Sequence, residues 1–119
     1  TLPLAHKHQM GVIAKRPLAN AAWRTQQKPK NPYHHTYWDR LQKLNYQFLK
    51  DPLEDSIAVA LRFALSSPGV HTAIVGTLKP GRWSQNSRFL QAGSLSKKSF
   101  NAIRKSWLKV AEPSWTGQT

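Results

Sequence analysis

Two short apolar runs, residues 11–14 and 71–75, lie on either side of a long segment with a different pattern. Both runs contain β-branched residues and are too short for a helix, which favours buried strands of a parallel sheet. Residues 15–33 hold three prolines among mostly polar residues and predict a long loop. The two strands are therefore expected to be joined by a long crossover.

Helical periodicity fills most of that crossover. Residues 34–50 place apolar side chains at three- and four-residue steps, which predicts one amphipathic helix. The next helix has a start signal, with Asp51 as N-cap, Pro52 at the first helical position and Glu54 completing a capping box. Its end is expected near Ser67, because Pro-Gly follows.

Two further helices are predicted after the second strand. Residues 82–91 form a short one, and Ser96 caps the last one. The apolar side of that last helix carries Phe100, Ile103, Trp107 and Val110, and residues 112–119 are predicted to form a polar tail. This alternation of strands and helices predicts an α/β fold with a parallel sheet. Two parallel strands do not bury both sheet faces by themselves, so the chain is expected to be part of a larger fold.

The charge balance is strongly basic. Eighteen Lys and Arg residues oppose five Asp and Glu, giving a formal net charge of +13, which favours polyanionic partners. The basic residues are dispersed, with the densest runs at 28–30 and 97–98, so a solvated surface is favoured over a nucleic-acid interface. The chain has no cysteine, which excludes disulfides and Cys-ligated zinc. No window approaches the roughly 18 apolar residues of a membrane span.

Three stretches resemble the C-terminal portion of the aldo/keto reductase family: GVIAKRPLANAAWR, DPLEDSIAVALRFALSSPGVHTAIVGT and KPGRWSQN. The resemblance runs from about residue 11 to about residue 110. It implies a (β/α)8 barrel, with 11–14 as the seventh strand, 71–75 as the eighth and 76–91 as the cofactor-phosphate loop and helix. Residues 1–119 are then expected to be a C-terminal fragment of such a barrel, incomplete on its own.

The resemblance also implies that the loop after the eighth strand holds the adenosine 2′-phosphate of NADPH. Thr77 would hydrogen-bond this phosphate, and Arg82 would pair with it or stack on the adenine. Lys79 is a further cation within reach. The residues that match the family pattern are Gly76, Thr77, Arg82, Gln85 and Asn86, with the last two at the adenine edge.

The loop after the seventh strand departs from the commonest family pattern. Lys15-Arg16-Pro17-Leu18 replaces an aromatic-Ser-x-Leu stretch, so no ring is available at Lys15 to stack on nicotinamide. By the resemblance, Arg16 and Leu18 are expected at the pyrophosphate, where Arg16 would be a charge-assisted donor. Asn20 and Trp23 either face the cofactor or pack the loop.

No residue matches the family's catalytic Asp, Tyr, Lys or His, which belong to earlier strands. Tyr33, Tyr37 and Tyr46 lie in the loop and helix after the seventh strand. The resemblance therefore implies the cofactor-binding part of a cytoplasmic, NADPH-dependent reductase of aldehydes or ketones, inactive without the rest of its barrel. Its expected partners are NADPH, a carbonyl substrate, and a missing N-terminal half or a second copy, with no membrane and no metal. The alternative is a non-enzymatic basic module that binds protein or nucleic acid.

Overall fold

A computed structural model describes residues 1–117. Five α-helices and two β-strands follow one another as α1 (Leu2–Lys7), β1 (Ile13–Lys15), α2 (His35–Leu44), α3 (Leu53–Ser66), β2 (Thr72–Ile74), α4 (Arg82–Gln91) and α5 (Lys97–Val110). Short 3-10 turns occupy Ala19–Arg24, Pro32–His34 and Gln47–Lys50. The chain is thus an α/β structure, as predicted.

The two strands pair in parallel, as predicted, with Ile13 opposite Thr72 and Lys15 opposite Ile74. Each strand has three residues, and β1 extends one residue into the segment predicted as loop. The backbone pairing continues ahead of β2, where the His71 and Thr72 N–H groups donate to the Val12 carbonyl at 3.0 and 3.3 Å. The side chain of His71 adds a contact, since its Nδ1 accepts from the Val12 N–H at 3.1 Å.

The prediction that both strands are buried is wrong for one face of the sheet. Ile13 is 58% exposed and Ile74 is 59% exposed, whereas Ala14 and Ala73 on the opposite face are half-buried. Side chains alternate between the faces of a strand. The helices formed by residues 1–117 therefore cover the alanine face and leave the isoleucine face open.

The single helix predicted for residues 34–50 is also wrong, because α2 ends at Leu44. Asn45 adopts a left-handed conformation with a φ of 44°, and a 3-10 turn follows at Gln47–Lys50. Ser56, which is fully buried, donates from Oγ to the carbonyl oxygens of Phe48 at 2.8 Å and Asp51 at 3.1 Å. This tertiary contact holds the chain in the turn that separates α2 from α3.

The start of α3 lies one residue later than predicted. Pro52 is the N-cap and its carbonyl accepts from the Ser56 N–H at 3.0 Å, while no side chain caps the helix. The capping-box roles of Asp51 and Glu54 are therefore wrong. The predicted end is confirmed, since Ser67 is the C-cap.

The last helix agrees with prediction and closes the core. Ser96 Oγ accepts from the Ser99 N–H at 3.1 Å, which is the expected cap. The ring of Phe100 stacks on Phe63 of α3 with centroids 5.0 Å apart. The buried apolar side chains are Ala22, Leu44, Ile57, Ala60, Leu61 and Ile103.

The segment after α5, predicted as a polar tail, folds back through Trp115. Its ring meets Trp107 edge-on at 5.7 Å, and the Arg40 guanidinium lies 5.3 Å from its centroid. Arg40 also donates to the Thr116 carbonyl at 2.6 Å. Residues 118–119 of the predicted tail lie outside the described residues. None of the helices formed by residues 1–117 has the length and apolar character needed to cross a bilayer.

Candidate cofactor site

Both loops predicted to bind cofactor leave the sheet at the same edge. This follows from the parallel pairing of β1 and β2, since parallel strands end on the same side. The first loop begins with Arg16 and the second runs from Val75 to Gly81, where α4 begins.

The second loop is ordered by its own hydrogen bonds. Thr77 Oγ1 accepts from the Lys79 N–H at 3.1 Å, and the Lys79 carbonyl accepts from the Arg82 N–H at 3.3 Å. Gly81, the N-cap of α4, has a φ of 77°, a conformation that side chains disfavour. Gly76, Thr77 and Lys79 are all exposed, so the loop presents a hydroxyl and an ammonium group to solvent.

The first turns of α4 bring Arg82 and Gln85 together. Arg82 Nη1 donates to Gln85 Oε1 at 2.5 Å. Gln85 Nε2 in turn donates to Glu54 Oε1 of α3, also at 2.5 Å. Gln85 thus links the guanidinium of Arg82 to the start of α3, and Glu54 positions Arg82 without touching it.

The other end of α4 is held by Arg62 of α3. Its guanidinium donates to the carbonyl oxygens of Ala92 at 3.3 Å, Gly93 at 2.8 Å and Ser94 at 3.0 Å. Carbonyl groups at a helix C-terminus lack helical partners and favour a cation. Helix α4 is therefore fixed to α3 at both ends, which sets the direction of its N-terminus.

Asn86 is the one predicted site residue that is buried, with 8% of its surface exposed. Its Oδ1 atom has no hydrogen-bond partner among residues 1–117. Leaving a buried acceptor unpaired costs roughly 1–3 kcal/mol. A ligand that supplied an N–H donor here would remove this cost, so an amino-substituted base such as adenine fits the residues present.

In the first loop, the side chain of Arg16 contacts another residue of the same loop, Tyr33. Arg16 Nη2 donates to Tyr33 Oη at 2.9 Å, and the guanidinium lies 5.9 Å from the centroid of the Tyr33 ring. The backbone of Arg16 is left-handed, with a φ of 55°. The Leu18 carbonyl accepts from Trp23 Nε1 at 3.1 Å, so this contact supports the packing role for Trp23.

A groove beside α2 includes the later part of the first loop. It has a volume of about 520 Å³ and is lined by Trp23, Thr25, Gln26, Leu41, Gln42, Asn45, Tyr46, Leu49 and Lys50. Burial raises the pKa of Tyr46 to about 12, although the nearby positive charge of Arg104 acts in the opposite direction. Trp23 belongs to its lining, whereas the residues predicted at the phosphate, adenine and pyrophosphate do not.

Sequence reasoning missed two residues that organise the site, Glu54 and Tyr33. Glu54 lies 31 residues from Gln85, and Tyr33 lies 17 residues from Arg16. The sequence predicts a local role for Glu54 as a capping residue, and that role does not indicate its tertiary contact with Gln85. Neither contact has a signal in the spacing of residues along the chain.

Residues 1–117 contain no group of three His, Cys, Asp or Glu side chains placed to hold a metal ion.

The model of the aldo/keto reductase family matches residues 1–108, most of the chain. Comparison with curated proteins and with solved structures gave no significant match.

Proposed function

Because this chain belongs to the aldo/keto reductase family, we propose that it is the cofactor-binding part of an NADPH-dependent reductase of aldehydes or ketones. The family consists of oxidoreductases that generally use NAD(P)H, so the finer proposal concerns the 2′-phosphate and the carbonyl substrate. The cytoplasmic location stays a prediction from the same resemblance.

The proposed phosphate site consists of Thr77, Lys79 and Arg82. Thr77 and Lys79 are exposed on the loop, and Arg82 opens α4, where backbone N–H groups and the helix dipole favour an anion. A guanidinium binds phosphate through charge-assisted hydrogen bonds. NADH lacks the 2′-phosphate and would leave these cations without a phosphate partner, and this difference supports NADPH as the preferred cofactor.

The observation that carries the proposal is the buried, unpaired Oδ1 of Asn86, one turn beyond Arg82. The proposed adenine site consists of this acceptor and Gln85, while Gly76 precedes Thr77 in the phosphate loop. The bound cofactor supplies hydride for reduction of a carbonyl group. Arg16 and Leu18 are proposed at the pyrophosphate, where Arg16 would exchange its contact with Tyr33 for one with the ligand.

We further propose that residues 1–119 form the C-terminal part of a (β/α)8 barrel. In this arrangement 11–14 belongs to the seventh strand, 71–75 to the eighth, and 76–91 to the phosphate loop and its helix. The open face bearing Ile13 and Ile74 supports this proposal, because apolar side chains on barrel strands pack against those of other strands. The partner of that face would be an N-terminal barrel half or a second copy.

Adenosine 2′,5′-bisphosphate and adenosine 5′-monophosphate test the phosphate site directly, since they differ by the 2′-phosphate alone. We expect the bisphosphate to bind more tightly, with an affinity that falls as salt is added. Replacing Arg82 by Ala should weaken the bisphosphate about 10- to 100-fold, the usual worth of a charge-assisted bond, and leave the monophosphate nearly unchanged.

The matched control is Arg88→Ala, which removes the same charge from an exposed position on the same helix. Isothermal titration of the two variants gives both affinities. Equal losses for the two nucleotides, or equal losses for Arg82→Ala and Arg88→Ala, would overturn the assignment.

The chain alone is proposed to be catalytically inactive, because none of its residues matches the proton-donating Tyr or its partners. The assay is oxidation of NADPH with a reactive aldehyde at high protein concentration. Turnover that follows the chain through purification would place chemistry on one of its own tyrosines or histidines.

A further inference from the structure

Helix α5 separates its charged and apolar residues into two halves. One half carries the buried Ile103 and the half-buried Phe100, Trp107 and Val110. At 100° per residue, the five cations of this helix all fall on the other half. They are Lys97, Lys98, Arg104, Lys105 and Lys109, and each of them is exposed.

No acidic residue lies between 97 and 110, and within residues 1–117 none of these five cations forms a salt bridge. The acid nearest along the chain, Glu112, pairs with Lys43 of α2 at 2.9 Å. The basic residues are dispersed along the sequence, yet the fold places five positive charges on one surface of α5. With 14 residues, α5 is about 21 Å long, so this surface can follow a row of phosphates.

The chemistry of the rest of this surface indicates which polyanion it fits. Binding of single-stranded nucleic acid generally needs exposed aromatic rings on which bases stack. The rings of α5 point the other way, since Phe100 stacks on Phe63 and Trp107 contacts Trp115. Asn101 is the one amide on the charged half, which leaves little with which to read base edges.

An anionic membrane fits less well. A helix that lies in a bilayer interface inserts its apolar half between the lipids. In α5 that half is packed against the rest of the protein, and Leu108, 72% exposed, is the one large apolar side chain on the outer half.

We propose that the outward face of α5 binds the sugar–phosphate backbone of double-stranded nucleic acid without reading its sequence. The interaction is electrostatic, made by five exposed cations that form no salt bridge within the part of the chain that the structure describes. It is independent of the proposed cofactor site, because α4 carries that site and α5 carries this surface.

The test uses the full chain and a 20-base-pair DNA duplex of mixed sequence, with binding followed by fluorescence anisotropy between 50 and 200 mM salt. The test variant is the triple substitution Lys98→Gln, Lys105→Gln and Lys109→Gln. The control replaces Lys7, Lys30 and Lys50 by Gln, all exposed and outside α5. Both variants have the same net charge, so a difference between them reports position.

We expect the α5 variant to bind the duplex at least 10-fold more weakly at 50 mM salt. The slope of log affinity against log salt should become shallower by about 2 to 3, near 0.9 for each lost phosphate contact. The control should stay within about twofold of the unaltered chain, and a second duplex of different sequence should bind equally well.

Equal losses for the two variants would overturn the proposal, since binding would then depend on net charge alone. Tighter binding to a single strand of the same length, or to vesicles containing phosphatidylserine, would also overturn it. Circular dichroism and binding of adenosine 2′,5′-bisphosphate confirm that each variant is folded. A failure of the nucleotide arm alone leaves the duplex result intact and counts against the cofactor proposal.

Discussion

Gln85 of α4 donates a hydrogen bond to Glu54 at the start of α3 and, with its amide oxygen, accepts one from Arg82. A carboxylate therefore holds, through one amide, the guanidinium proposed to bind phosphate. Glu54 contacts the side-chain amide of Gln85, so its negative charge is separated from the Arg82 guanidinium by that amide. The arrangement orients Arg82 while leaving its remaining N–H groups for an anion.

Glu54 is expected to stabilise the contact between α3 and α4. Replacing Glu54 by Ala removes the acceptor of Gln85 and should lower the free energy of unfolding by about 0.5–1.5 kcal/mol more than its control. The control is Asp55→Ala, which removes a neighbouring exposed acid from the same first helical turn. Urea unfolding measures both, and equal losses would show that the helix dipole accounts for the whole effect.

Gly81 is expected to be required at the start of α4. Its φ of 77° strains any residue with a Cβ, so Gly81→Ala should destabilise the chain by about 1–2 kcal/mol. Gly76→Ala is the control, because its added Cβ meets no atom within 4 Å and its φ is not positive. Thermal melts distinguish the two. A neutral Gly81→Ala would mean that the loop relaxes into another conformation.

Among the serines of the chain, Ser56 is expected to cause the largest loss of stability when it is replaced by Ala. Replacing it by Ala removes the hydroxyl donor from the Asp51 carbonyl and leaves the Phe48 carbonyl with the longer bond from the Asp51 N–H at 3.4 Å, at a cost of about 1–3 kcal/mol. The control is Ser67→Ala, which removes a hydroxyl that donates to the Phe63 carbonyl within its own helix. In urea unfolding, the free energy of unfolding should be clearly lower for Ser56→Ala than for Ser67→Ala. The reverse order would contradict the role given to Ser56.

Tyr46 is expected to make stability fall at alkaline pH. Burial raises its pKa in the folded chain from 10.0 to about 12, so the folded state holds the phenol proton more tightly. This contribution is fully present below pH 10 and is lost as pH rises from 10 to 12. Urea midpoints between pH 8 and 11 should therefore fall more steeply for the unaltered chain than for Tyr46→Phe.

Lysines titrate in the same range, but they are common to both chains and cancel in the difference. Parallel curves for the unaltered chain and Tyr46→Phe would show that Tyr46 ionises equally in the folded and unfolded states.

The elements predicted best are those whose ends have local causes. Ser96 caps α5 through its own hydroxyl, and Pro68-Gly69 follows the end of α3, so both boundaries could be read from neighbouring residues. The parallel pairing of two short strands was predictable for a similar reason, since a long helical crossover separates them.

The errors arise where distant contacts decide the conformation. Helix α2 ends before Asn45, and the turn that follows is held by Ser56 of the next helix. The spacing of apolar residues continues through this segment and does not indicate the break. The same holds for the site, whose residues were named from the family resemblance. Their mutual bonds, from Arg82 through Gln85 to Glu54, connect segments that sequence spacing does not relate.

The two-stranded sheet also determines how the chain exchanges its amide hydrogens. Within residues 1–117 each strand has a neighbour on one side, so the amides on its outer edge face solvent, whereas those of α3 and α5 are bonded within packed helices. Protection should therefore be lowest in β1 and β2 and highest in these helices. Both proposed cofactor loops start from the part of the molecule that opens most often, and a ligand bridging them would slow exchange in the strands themselves.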